Sequence, residues 1–211
     1  TCSMLQVFFR NYLKWYEYSV SLQKKAIKKL LYLLALACAI QLQGQESIAR
    51  FTDSIIEIDG IQDTAWDTIQ PSSSFWQYFP SDSIQAPQQT QVKFLFDNQN
   101  LYVLIVAEAD YDNFITPSLR RDFSSRNSDS VTLVLDTFND GTNAFLFGTN
   151  PEGVQREALI SNGGSNFPQD FNLSWDVKWE VAVQKFEGGY RAEMKIPFSN
   201  IRYADNTTDW R

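Results

Sequence analysis

The chain has 211 residues, with 18 Lys and Arg against 25 Asp and Glu, and no histidine. The missing histidine excludes Ser-His-Asp triads, Cys-His pairs and His-ligated zinc, and neither common Gly-rich phosphate loop is present. Six of the basic residues but only Glu17 of the acids precede Gln45, which leaves 12 basic against 24 acidic side chains. A body of about −12 excludes nucleic acid as a partner, because phosphate binding needs clustered Lys and Arg.

Taken in order, the chain opens with a segment of its own character. Lys24, Lys25, Lys28 and Lys29 precede an apolar run from Leu30 to Ile40. Basic residues followed by about 7–15 apolar ones form a secretory signal, too short for a comfortable membrane span. Residues 1–44 are therefore read as a leader, cleaved near Gly44-Gln45, with 45–53 as a short linker and 54–211 as the folded module. Both cysteines, Cys2 and Cys38, lie in the leader, so the body needs no disulfide. Leu36-Ala37-Cys38 is loosely of lipoprotein form, but Ala39 and Ile40 continue the apolar run where a lipid-anchored cysteine is followed by polar residues. A basic leader ahead of an acidic exported body is a bacterial pattern.

The body reads as short strands. Ser54-Ile55-Ile56-Glu57-Ile58 is a strand closed by Asp59-Gly60, and Gln62 to Trp66 one helical turn with Trp66 inward. Residues 70–89 are a long Ser-, Pro- and Gln-rich loop carrying Phe75, Trp76, Tyr78 and Phe79, which either packs down on the sheet or presents rings to a ligand. Thr90 to Phe96 and Leu101 to Glu108 form a hairpin around Asp97-Asn98-Gln99-Asn100. Val103-Leu104-Ile105-Val106-Ala107 is apolar on both faces, as in a central strand covered on both sides. Val131, Leu133 and Leu135 alternate with Thr132 and Val134 in a strand that ends in the turn Asn139-Asp140-Gly141. A second strand follows from Thr142 to Gly148, closed by Asn150-Pro151-Glu152-Gly153. Alternation over Trp175–Gln184 and Tyr190–Ile196, joined by Glu187-Gly188-Gly189, gives two more strands with one apolar face each. Pro197 to Ile201 then forms a helical turn. The expected class is all-β, an antiparallel sandwich whose C-terminal edge is incomplete at Arg211.

Few residues point to chemistry. Carboxylates are plentiful, yet nothing selects a glycosidase-like pair. Asp136 to Gly141 has oxygen ligands at alternating spacing and a Gly turn, which makes Asp136 and Asp140 candidate structural-calcium ligands, although the trailing Glu of a calcium loop is missing. The alternation of Trp175 and Trp179 with valines turns them into the core. Trp76 and Tyr78 are freer to stack on a sugar. Asn150 offers an amide to sugar hydroxyls or simply shapes its turn.

Five motifs, in this order, resemble family 9 carbohydrate-binding modules: Ile58-Asp59-Gly60 with Asp63 and Ala65-Trp66; Asn100-Leu101-Tyr102-Val103; Asp129-Ser130-Val131; Gly189-Tyr190-Arg191-Ala192-Glu193; and Ile196-Pro197-Phe198. The version most similar stands at the N-terminus of long exported Bacteroidetes proteins, ahead of an outer-membrane β-barrel. That implies the periplasm or the outer-membrane or cell surface of a Gram-negative bacterium, with the downstream domain or barrel of the same parent chain as a partner. The resemblance implies a sandwich of jelly-roll type, non-catalytic, with structural calcium in some members and a mono- or oligosaccharide held between aromatic rings. Carried over by position, the site departs from that pattern. Arg126 stands where the aromatic platform is expected, beside Asn127; Thr132 stands for an acid and Gly148 for a basic residue, while Asn150 matches. The second platform falls beyond Arg211. Two functions follow as expectations: a sugar-binding module of a cell-envelope protein in glycan use, or a docking sandwich ahead of a barrel with the sugar lost.

Overall fold

The computed structural model describes residues 23–25, 27–29, 46–109, 113–204 and 207–211. The chain forms two compact units, Thr1–Gln45 and Glu46–Arg211. In the first, residues 23–25 and 27–29 are helical and exposed, so all four lysines, Lys24, Lys25, Lys28 and Lys29, lie on described helix. The apolar run, Cys38 and the expected cleavage point lie outside the described residues.

The second unit is a two-sheet β-sandwich. Nine strands are described: β1 (Ala49–Phe51), β2 (Thr90–Phe96), β3 (Asn100–Glu108), β4 (Val131–Leu135), β5 (Ala144–Thr149), β6 (Gln155–Ile160), β7 (Phe171–Asn172), β8 (Glu180–Phe186) and β9 (Gly189–Pro197). One sheet runs β1-β2-β3-β9-β8 and the other β4-β5-β6-β7. All pairings are antiparallel except β1 with β2. The inner faces meet in one core: Leu101, Val103 and Ile105 of β3 and Ala192, Met194 and Ile196 of β9 pack with Leu135 of β4 and Phe147 of β5. Removing such side chains from water is the main stabilising term, about 1.5–3 kcal/mol for each large one.

β3 lies at the middle of its sheet and is buried on both faces, as its unbroken apolar run requires. Its outer face is covered by residues 53–72. Ile56, Trp66 and Ile69 of that segment pack on Leu95, Tyr102 and Leu104. Trp66 sits in the expected helical turn, the 3-10 segment Thr64–Thr68, and is fully buried. Gly60 has φ +80°, and a Cβ there would come within 2.8 Å of the Gln184 backbone nitrogen, so only glycine lets the segment lie this close to β8.

Two expected strands are corrected. Residues 54–58 form no strand; they belong to the covering segment, and the strand at this end is β1, in the stretch read as a linker. The strand expected from Trp175 begins only at Glu180. Residues 175–179 still alternate in burial, but β9 ends at Pro197 and the chain turns away through the 3-10 segment Phe198–Asn200. Residues 175–177 lie beyond the end of β9 in that register, and Asn200 Nδ2 donates to the Lys178 carbonyl at 2.6 Å.

Candidate functional site

Strand register sorts the loops onto two ends of the sandwich. β2 starts at Thr90 opposite Ala107, β9 at Gly189 opposite Glu108, and β4 at Val131 opposite Thr149. An ion pair between Lys185 Nζ and Glu152 ties the β5–β6 turn to the β8–β9 hairpin. Residues 73–89, 115–130 and 150–154 therefore share one end, and Asp136 and Asp140 lie at the other.

The two aspartates act as turn-formers. Asp136 accepts the Asp140 and Gly141 backbone N–H groups at 3.2 and 2.8 Å, and its own backbone exchanges bonds with Arg211 at 2.7 and 3.0 Å. Asp140 accepts the N–H groups of Thr142 and Asn143 at 2.7 and 2.9 Å. The backbone N–H of Asn143, joined by Thr142, holds its carboxyl well below the usual carboxylate range. Calcium takes six to eight oxygens; these carboxylates are occupied by N–H donors, and no group of three or more acidic, His or Cys side chains gathers among the described residues. The donor set does not fit the ion. The turn itself explains both residues, with Asn139 at φ 54° and Gly141 at φ 68°.

At the loop end, residues 73–89 form an arm. Ser72 pairs with Val92 and Trp76 with Gln85, and backbone bonds join Gln77 to Ile84 and Ala86 to Phe75. The arm does not lay its aromatics on the sheet. Trp76 is 64% exposed and Tyr78 94%, with Phe79 and Ile84 exposed beside them.

Residues 115–129 form a compact loop closed at its base, where the Asp129 N–H donates to the Ile115 carbonyl at 2.7 Å and Asp129 Oδ2 accepts the Ile115 N–H at 2.8 Å. It crosses β6, with the Asp122 N–H on the Gln155 carbonyl at 3.0 Å. Arg121 reaches back into the sandwich: its Nε donates to Glu157 Oε1 at 2.9 Å, its Nη2 to the same carboxylate, and Asp176 lies at 2.8 Å. Glu157 stands opposite Phe147 in register, on the inward face, and its other oxygen accepts the Trp179 indole N–H at 3.2 Å. Burial pushes the Glu157 carboxyl up, against the pull of Arg121 and Trp179.

Each position expected to touch sugar now has a place. Arg126 is exposed and stacks over the Phe167 ring, its Cζ 4.8 Å from the centroid. Asn127 lines a hollow of about 390 Å³ inside the loop. Asn150 is fully buried; its Oδ1 accepts the Glu152 and Val154 N–H groups at 3.0 and 3.1 Å and its Nδ2 donates to the Ser118 carbonyl at 3.4 Å. Of its two expected roles, the structure gives it the turn and the seating of the loop. Thr132 and Gly148 are cross-strand partners on the outer face, and Arg156 follows them on β6. Trp175 and Trp179 point inward as expected, packed against Phe147 at 5.7 and 5.4 Å.

Sequence reasoning passed over Arg120, Arg121, Arg156, Glu157 and Phe167. One signal was available: three of the body's 12 basic residues, Arg120, Arg121 and Arg126, fall within seven positions.

Known proteins fit this architecture. A family model described as "Carbohydrate family 9 binding domain-like" matches residues 58–209. The chain is 24% identical over 197 residues to endo-1,4-beta-xylanase A of Thermotoga neapolitana, spanning 92% of this chain and 16% of that protein. Among solved structures, a family 9 carbohydrate-binding module from Caldicellulosiruptor kristjanssonii in complex with glucose has a TM-score of 0.50 at 19% identity, over 77% of this chain and 73% of that one. A module of that family from the same organism in complex with cellotriose has a TM-score of 0.48 at 18% identity, over 72% and 67%. The glucose-bound module shares the fold, and the family match covers most of the sandwich. The chain belongs to the family 9 carbohydrate-binding domain-like family.

Proposed function

We propose that this chain is the non-catalytic sugar-binding module of an exported cell-envelope protein, holding a mono- or oligosaccharide at the loop end of the sandwich. The aromatic arm carries the reading. Trp76 and Tyr78 are held out in water on a segment fixed by backbone hydrogen bonds. Large exposed rings mark interaction sites, and the flat C–H face of a sugar covers such rings while its hydroxyls stay wet. Asn127, at the same end, adds an amide. The basic-then-apolar leader supports export.

Calorimetry of the full chain against a glycan panel, with glucose and xylo-oligosaccharides first, tests this. Binding is expected to weaken about tenfold or more in Trp76→Ala, with Tyr78→Ala next, by loss of a stacking contact worth about 0.5–1.5 kcal/mol beyond its buried area. No heat with any glycan sinks the reading.

A second reading, a docking sandwich ahead of an outer-membrane barrel that no longer binds sugar, is favoured by one observation. Arg126 is stacked on Phe167 and Asn150 is consumed in its turn, so two carried-over positions are already satisfied internally. It predicts a stable fold without glycan binding and recovery of the full-length protein with membranes.

A further inference from the structure

We propose that the hollow inside the 115–129 loop is a subsite for a sugar unit bearing one acidic group, a uronate carboxylate or a sulfate ester, with Arg120 as its charged anchor and Ser124 and Asn127 as its hydroxyl partners. The proposal rests on the carbohydrate reading above and names the class of sugar.

Size and lining come first. At about 390 Å³ the hollow lies at the small end of the ~300–1,000 Å³ range of small-molecule pockets, fitting a single sugar ring. Several groups of its wall are committed. Arg121 is held by Glu157, Asp176 and the Val177 carbonyl. Ser118 Oγ accepts the Arg120 N–H at 3.2 Å, and Ser128 Oγ donates to the Asp129 carbonyl at 3.1 Å. The side chains of Arg120, Ser124 and Asn127 have no hydrogen-bond or ion-pair partner among the described residues, and all three are exposed. They offer a guanidinium fork, a hydroxyl and an amide. Phe123 in the same wall is buried, so no open ring is available for a neutral sugar to stack on.

Charge is the second, independent observation. Arg121 alone among four arginines here is neutralised. Arg126 rests on Phe167. Arg156 lies beneath the loop, only 7% exposed, with Nη1 donating to Ser125 Oγ at 3.1 Å and no carboxylate within ion-pair distance among the described residues. Burial lowers its affinity for its own proton, and only the field of Asp122 opposes that. Of the loop's two acids, Asp129 Oδ2 accepts the Ile115 N–H, and Asp122, which stands in the wall beside Arg120 and Arg121, accepts the Glu157 N–H through Oδ1 at 3.5 Å. In a body of about −12, the wall of this one small hollow thus keeps the Arg120 guanidinium without an ion-pair partner among the described residues, with Arg126 and Arg156 nearby but outside the wall. Guanidinium matches planar and tetrahedral oxyanions through paired N–H groups.

The test is calorimetry of the full chain with glucuronate, galactose 6-sulfate and glucose, with inorganic sulfate and acetate alongside. An acidic sugar is expected to bind about tenfold tighter than glucose, an advantage that shrinks at high salt. Arg120→Met is expected to erase the advantage and leave glucose within about threefold, while Arg50→Met, the same charge change on β1, alters neither. The two acidic arms tell carboxylate from sulfate. Equal affinity for glucose and the acidic sugars, or an equal loss of both in Arg120→Met, overturns the subsite and leaves the carbohydrate reading standing. Simple anions binding as tightly as the sugars also overturn it. No binding of any sugar overturns both.

Discussion

Two buried glutamates each accept a tryptophan indole, and the environments around them differ in one respect. Glu193, on the outer face of the five-stranded sheet, takes the Trp66 Nε1–H at 2.9 Å and the Gly60 N–H at 3.3 Å. Glu157, on the inner face of the other sheet, takes Trp179 Nε1–H and the Arg121 guanidinium. At Glu193 burial outweighs the neutral donors that oppose it, and its carboxyl is pushed up to about 7. At Glu157 the cation answers the charge. The first pair clasps a covering segment onto the sheet; the second seats the loop that forms the proposed sugar hollow. One local device serves cohesion where it is neutral and positioning where it is charged.

The sharpest way to break the comparison is Arg121→Met, which makes Glu157 resemble Glu193. The Glu157 side chain is 1% exposed, so the variant leaves a buried carboxylate with only an indole N–H. Removing one partner of a buried pair costs about 3–5 kcal/mol; Arg121 is partly exposed, which places the expected loss near 3 kcal/mol by denaturant unfolding at pH 7. Because Glu157 can take a proton, the loss is expected to shrink as pH falls. A pH-independent loss would show that packing of the Arg121 stem, not the ion pair, was removed.

Glu193→Gln tests the other side. A carboxyl raised from 4.5 to about 7 binds its proton more tightly in the folded state. Its stabilising contribution is complete below pH 4.5 and is lost as pH rises through 7. The wild type is expected to lose on the order of 2–3 kcal/mol across that window, and Glu193→Gln to flatten the loss while changing little at pH 4. An unchanged slope in the variant would assign the pH dependence elsewhere.

Neither glutamate was legible in the sequence, for the same physical reason. Strand periodicity tells which face a residue occupies, not what covers that face. Glu193 alternates correctly with Ala192 and Met194 and reads as solvated; only the return of residues 53–72 buries it. The same ambiguity made residues 54–58 look like a strand, since apolar residues on a covering segment alternate as those of a ladder do. β3 was legible because no surface strand carries five apolar residues in a row. The hairpin turns were legible because Asn139, Gly141 and Gly188 adopt positive φ, which few residues tolerate. Asn127, expected beside Arg126, lines the loop hollow, whereas the stacking of Arg126 on Phe167 joins residues 41 positions apart and leaves no local trace.

The smallest expected effect separates the two acids that hold Arg121. Asp176 lies at 2.8 Å from its Nη2, as close as a buried partner, yet its side chain is 77% exposed. Water screens that pair and competes for both groups, so exposed ion pairs contribute about 0–1 kcal/mol. Asp176→Asn is therefore expected to change stability by no more than about 0.5 kcal/mol, and to leave the affinity for an acidic sugar unchanged or slightly higher as a nearby negative charge is removed. A loss comparable to that of Arg121→Met would mean that the guanidinium is oriented from the solvent side, and the distinction drawn between Glu157 and Glu193 would then rest on the wrong partner.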